Sequence, residues 1–194
     1  FPKGGYISDP QFATRNLQLA AERVGASFLF NSRVTGIPTN SGRVEGVVLA
    51  DGTRIHAPVV INVAGPHSNQ INALVGAEAD MKITTRALRQ EVAHVPVPED
   101  IEYSSFGCVV SDSDVSVYSR PELNNNILIG SEDPPCDTHV YVDPDNFDKN
   151  FSDQWTAQAQ RFGQRFPSLG IPNKLRGCVD LYDVTEDWIP IYDR

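Results

Sequence analysis

The sequence predicts an α/β (α+β) fold, in which a partial layered α/β unit is followed by a mainly antiparallel sheet. Three observations lead there. A helix signal near the start is followed by short strands and a strand–glycine–helix passage ending at Gly76. From Met81 onward, β-like segments alternate with Pro, Gly, Asp and Asn turns. An aromatic face at helical spacing then follows, with Phe151, Trp155, Phe162 and Phe166.

Asp9-Pro10 opens the first helix, because Asp9 can cap free amides and Pro10 suits the first helical position. Ala13, Leu17, Ala20, Ala21 and Val24 share one face of it, and Gly25 is the expected left-handed stop. Ala26–Phe30 and Ser32–Pro38 read as strands. Asn40-Ser41-Gly42 and Asp51-Gly52 are hairpin turns flanking Val44–Leu49, with Thr53–His56 as the last strand of a small meander. Val59–Ala64 is nearly continuous in apolar residues, which suits a strand covered on both faces. Gly65-Pro66 ends it, and a helix over His67–Val75 stops at Gly76. In the second part, segments 82–95, 103–111, 114–119 and 126–131 read as strands. Asp145 or Asn146 is the expected cap of the aromatic helix, Pro167 limits it, and a last strand covers 174–184. The composition shift near residue 80 marks the one expected boundary.

A chain of 194 residues, 40% hydrophobic and 21% charged, can bury a core without staples. Its net charge of -9, from 16 basic and 25 acidic residues, argues against nucleic acid and anionic membranes as partners. No apolar run approaches the roughly 20 residues of a membrane helix. Phe1-Pro2-Lys3-Gly4-Gly5 is not a secretory leader, and with no initiator Met the chain reads as an internal segment. Three widely spaced cysteines, Cys108, Cys136 and Cys178, fit reduced thiols and a cytoplasmic protein. The four histidines show no metal-binding spacing, so no metal is expected. Asp143–Asp148 resembles a calcium loop superficially, but it lacks the central glycine and terminal glutamate.

Four segments, in this order, resemble the superfamily of FAD-dependent oxidoreductases that includes D-amino-acid oxidase, glycine oxidase and sarcosine oxidase. They are Gly5–Pro10 with its helix to Ala26; Arg33–Ile37 with the hairpin through Gly52; Val59–Ser68; and Val117–Gly130 with Leu181–Pro190. The sarcosine oxidase, dimethylglycine and proline dehydrogenase branch is the most similar. The resemblance implies a partial FAD-binding domain over 1–80, a substrate-binding domain over 81–185, and a return toward the FAD domain over 186–194. The family's Gly-x-Gly-x-x-Gly unit and second glycine-rich flavin segment are not in this sequence. FAD is therefore the expected cofactor of the full-length parent, held weakly by this chain alone, and apolar surface at 59–64 is expected to promote self-association.

By the same resemblance, the backbone at Val34, Ala64, Gly65 and Pro66 would approach FAD. Tyr118, Arg120 and Tyr182 are the candidates for substrate contact, and no catalytic residue is assigned. Tyr118 and Arg120 alternate with Val117 and Ser119, so they share a sheet face. Arg120 either pairs a substrate carboxylate or is a solvated arginine beside Glu122. Relative to the sarcosine oxidases, Leu128 stands where a lysine would promote reaction with oxygen, and Asp180 where a cysteine would hold flavin. Cys178 is read as a buried thiol. The implied activity is oxidation of the C–N bond of a sarcosine-, dimethylglycine- or proline-like amine or amino acid by hydride transfer to FAD. The alternative is a non-catalytic subunit or binding module of the same fold, and either could be a homo- or hetero-oligomer.

Overall fold

The computed structural model describes residues 5–106 and 108–192. Outside them lie residues 1–4, read above as no leader, residue 107 within the expected strand 103–111, and residues 193–194. The elements, in order, are α1 (Pro10–Arg23), β1 (Val34–Gly36), β2 (Thr39–Asn40), β3 (Arg43–Val44), β4 (Gly46–Leu49) and β5 (Arg54–His56). They continue with α2 (Ser68–Ala73), β6 (Arg86–Pro96), β7 (Val110–Asp112), β8 (Val117–Glu122), β9 (Asn126–Ser131), α3 (Asp153–Gly163) and β10 (Gly177–Val184). The fold is thus mixed helix and antiparallel sheet, as the sequence predicts.

The chain forms two compact units. Among the described residues, one comprises 5–25, 89–106, 108–140 and 148–180, and the other comprises 26–88, 141–147 and 181–192. The division falls inside β6, between Leu88 and Arg89, and inside β10, between Asp180 and Leu181.

The first unit is organised by a five-stranded sheet in the order β10-β6-β9-β8-β7. Its ladders are antiparallel, and three register rows cross β6, β9 and β8: Ala93–Ile129–Ser119, His94–Leu128–Arg120 and Val95–Ile127–Pro121. Residues directly opposite one another lie on the same sheet face. The first and third rows are buried, and with Val117 they meet Trp155, Ala159 and Phe162 of α3 in one core. Phe162 and Phe166 meet the edge of the Tyr103 ring at 6.2 and 6.0 Å. The middle row faces the other way and is half-buried.

α3 starts at Asp153, with Ser152 as its N-cap accepting from the Gln154 amide. Asp145 and Asn146, the caps expected from sequence, instead form a short turn in which the Asp143 carboxylate accepts from the Asp145 amide. Phe151 therefore precedes the helix and is only half-buried, whereas Trp155 is fully buried. What fixes the start is a carboxylate from the sheet: Glu91 Oε1 accepts from the Ser152 amide at 2.9 Å and its hydroxyl at 2.6 Å. Arg89 Nη1 lies 2.7 Å from that oxygen, and the rest of the guanidinium donates to the carbonyls of Asp148 and Asn150. Residues 103–106 form a 3₁₀ turn rather than strand, with the Tyr103 hydroxyl 2.5 Å from Ser119 Oγ.

In the first unit α1 begins where the sequence places it, with the Asp9 carboxylate accepting from the Phe12 amide and Pro10 leading the helix. Its apolar face, however, is not buried: Leu17 is 73% and Val24 86% exposed.

The second unit contains the antiparallel sheet β1-β4-β5 and the β2-β3 hairpin, turned at Ser41 and Gly42 with positive φ. The two expected apolar strands do not form. Ala26–Phe30 and Val59–Ala64 carry no sheet pairing among the described residues, and Ile61 and Val63 are 77% and 85% exposed. The physical reason is that an apolar run becomes a strand only when a neighbouring chain takes its amides and carbonyls. After Ala64 the chain turns through Gly65–His67 into α2, which ends at Ala73; a left-handed Gly76 follows three residues later.

Because Trp155 is fully buried and its Nε1 donates to the Arg176 carbonyl at 2.7 Å, Trp155→Ala loses both packing and a hydrogen bond. The expected loss of stability is ~3–5 kcal/mol, read from the denaturant midpoint. A loss below about 1 kcal/mol would mean that the α3 core does not form in solution.

Candidate functional site

The face of the five-stranded sheet opposite α3 carries Tyr118, Arg120 and Glu122 of β8. Strand β8 alternates strictly: Val117, Ser119 and Pro121 are buried toward α3, and Tyr118, Arg120 and Glu122 are half-buried on the reverse face. This follows from the two-residue period of a strand. Tyr118 pairs in register with Gly130, and its ring lies over that glycine, where any Cβ would collide with it. The absence of a side chain at 130 is therefore what lets the Tyr118 ring lie flat on the strand.

Arg120 and Glu122 form an ion pair at 2.9 Å, with side chains only 17% and 12% exposed. The same nitrogen, Nη1, donates to the Pro121 carbonyl at 2.9 Å. The Tyr6 ring, from the segment before α1, covers the guanidinium with its centroid 5.1 Å away. Arg120 stands beside Glu122, as one of the two sequence readings has it, but it is a half-buried rather than a solvated surface arginine. Its Nε and Nη2 make no hydrogen bond among the described residues. Those two nitrogens form the side-on edge of the guanidinium fork, the geometry that takes both oxygens of a carboxylate.

His94 lies in the same register row as Arg120, with Leu128 between them. Burial pushes its imidazole below the ordinary histidine value; Glu122 opposes that shift and Arg120 adds to it. Nothing in the sequence singled out His94, because only the register shows that it shares a face with Arg120. On β10, Cys178 is exposed rather than buried, so the sequence reading of a buried thiol is corrected. Strand β10 is the sheet's edge and leaves that residue uncovered. The partial burial of the thiol, with Asp180 and Glu122 nearby, nevertheless pushes its pKa up. Tyr182 is 38% exposed and belongs to the second unit, whereas Tyr118 and Arg120 belong to the first.

The residues expected near FAD all fall in the second unit. Val34 pairs with Leu49 at the edge of the small sheet and is half-buried. Ala64, Gly65 and Pro66 form the turn into α2 and are half-buried as well. The turn is held by Asn62, whose Oδ1 accepts from the Ala64 amide at 3.1 Å and whose Nδ2 donates to the Ser68 carbonyl and Asn72 Oδ1. Gly65 adopts φ +55°, and no heavy atom lies within 4 Å of where its Cβ would stand. His67, at the helix entrance, lies 3.0 Å from Asp145. No group of three metal-ligating side chains occurs among the described residues, and no helix there is long and apolar enough to cross a membrane.

The whole chain, residues 1–194, matches the DAO family model, described as FAD dependent oxidoreductase. No curated protein matches it. Among solved structures, L-proline dehydrogenase from P. horikoshii is similar at 21% identity and TM-score 0.75, covering 96% of this chain and 46% of that one. Glycine oxidase from Geobacillus kaustophilus is similar at 19% identity and TM-score 0.64, covering 91% and 42%. Iminodiacetate oxidase from Chelativorans sp. BNC1 is similar at 22% identity and TM-score 0.65, covering 90% and 42%. The chain thus spans less than half the length of each of these proteins.

Gly130→Ala should push the Tyr118 ring off the strand, destabilising the fold by ~1–3 kcal/mol. Adding Tyr118→Ser should recover most of that loss in chemical denaturation. If the single variant unfolds like the parent, the ring does not lie on Gly130.

Proposed function

The chain belongs to the DAO family of FAD dependent oxidoreductases, and from that premise we propose that it serves the oxidation of the C–N bond of an amine or amino acid. The observation that carries the reading is the open Nε/Nη2 edge of the desolvated Arg120, on a polar sheet face lined also by Tyr118. A buried ion pair contributes little net stability, so its presence on the face away from the core favours a role in binding. The similar solved proteins are named for proline, glycine and iminodiacetate, each of which carries both an amine nitrogen and a carboxylate. That shared chemistry supports an amino acid in the range of sarcosine, dimethylglycine or proline as substrate.

In this reading residues 1–80 and 186–194 belong to the FAD side and 81–185 to the substrate side. Val34, Ala64, Gly65 and Pro66 present backbone to FAD, and the open Gly65 backbone is the feature that supports this. FAD supplies the acceptor for a hydride from the carbon next to nitrogen. The chain's own residues do the rest. Arg120 holds the carboxylate, Glu122 fixes the orientation of Arg120, and the Tyr6 and Tyr118 rings restrict water at that point. Tyr182 is assigned to the substrate wall. Leu128, apolar and on the same row, offers no cation for reaction with oxygen, which favours an acceptor other than oxygen.

The test is anaerobic mixing of the FAD-loaded full-length parent protein with N-methylglycine, N,N-dimethylglycine and proline, following loss of the oxidised flavin's visible absorption. At least one should bleach the flavin. Arg120→Met should lower kcat/KM for it by about 10²–10⁴-fold, the loss of two charge-assisted hydrogen bonds of ~1.5–3 kcal/mol each. A full-length parent protein that stays colourless in excess FAD would favour the non-catalytic module instead.

A further inference from the structure

The polar sheet face holds a second recognition group besides Arg120. The His94 side chain is half-buried, yet among the described residues neither ring nitrogen has a hydrogen-bond or ion-pair partner. Its backbone amide is used, donating to the Arg176 carbonyl at 2.9 Å, so the strand is fixed while the imidazole is free. His94 and Arg120 are both register partners of Leu128. With strands about 4.8 Å apart, their Cα atoms stand about 10 Å apart across one apolar residue. The row thus carries an imidazole and a guanidinium on either side of one apolar residue, a spacing on the scale of one small zwitterion. Two polar groups on one row, the imidazole unpartnered and the guanidinium open along its Nε/Nη2 edge, offer a matched acceptor and donor pair to a ligand.

Resting on the reading of Arg120 as carboxylate anchor, we propose that His94 is a specificity-determining residue of the same face, accepting a hydrogen bond from the ammonium N–H of an amino acid whose carboxylate sits on Arg120. Leu128 lies beneath the ligand's carbon. Acceptance requires the neutral imidazole, and burial holds His94 in that form at neutral pH. The charged neighbours are consistent with this: from β8, Glu122 favours an approaching cation while Arg120 disfavours protonation of His94 itself. On β9 the neighbour is the apolar Leu128, and on β10, beside β6, the titratable side chains of the stretch 177–180 are Cys178 and Asp180. Glu122 and the ligand's ammonium balance Arg120 and the ligand's carboxylate, so a zwitterion enters without leaving net charge on the face.

The experiment is an NMR titration of the 194-residue chain, labelled at histidine. The probes are N-methylglycine and its two halves, acetate and dimethylammonium. N-methylglycine is expected to shift the His94 ring resonances and to lower its apparent pKa further, because the bond forms only to the neutral ring. His94→Leu should weaken N-methylglycine at least tenfold and leave acetate unchanged, whereas His94→Gln, which keeps an acceptor, should recover most of the loss. Arg120→Met should weaken both acids. Unchanged N-methylglycine affinity in His94→Leu, or a His94 pKa that rises on binding, overturns the assignment. If acetate then still binds through Arg120, the anchor reading survives and only the His94 role falls; if no carboxylate binds at all, both fall.

Discussion

One buried carboxylate holds the first unit together. Glu91 is 1% exposed, and its Oε1 accepts from Arg89, from the Ser152 amide and from the Ser152 hydroxyl. Its backbone carbonyl receives Gln158 Nε2 from the next turns of α3 at 3.2 Å. Through Arg89 the same charge reaches the carbonyls of Asp148 and Asn150, which lead into the helix. Sheet, approach loop and helix start are therefore fixed at one point. An ion pair this dry is a poor source of net stability, but breaking it leaves a charge buried without a partner. Its effect is to allow one geometry for α3 and to penalise others.

That geometry decides which face of the sheet is core. Once α3 is seated, Trp155, Ala159 and Phe162 cover the rows of Ala93 and Val95, and the row of His94, Leu128 and Arg120 must face away. The proposed binding role rests on what stands on that reverse face. Here it is an arginine held on one side by Glu122 and Tyr6 and open on the other, a free imidazole, and a tyrosine seated on a glycine. The arrangement is suited to a small ligand that carries opposite charges a few bonds apart.

Much of this was legible in the sequence where the signal is local. Asp9-Pro10, the turns at Gly42 and Gly52 and the stop at Gly76 all behave as their residue types dictate, because capping and positive φ are decided within a few residues. The alternation of Tyr118 and Arg120 against Val117 and Ser119 was equally readable, since a strand's period is fixed. What sequence could not give depends on partners far along the chain. Asp145 and Ser152 are both good helix caps, and the choice between them is made by Glu91, about sixty residues upstream in sequence. Val59–Ala64 has a buried strand's composition, but pairing requires a neighbour that composition does not reveal. His94 was missed for the same reason: its relation to Arg120 exists only through the register of β6, β9 and β8.

The claim that Glu91 seats α3 is tested most directly by amide hydrogen exchange in Glu91→Gln. The variant keeps the side chain's shape and removes the charge that holds Arg89 and Ser152. Breaking such a pair costs about 3–5 kcal/mol, so amides of α3 from Trp155 onward should exchange at least about 100-fold faster than in the parent. Exchange in α3 that is unchanged by the substitution would show that the helix is held by its apolar face alone, and would contradict the account.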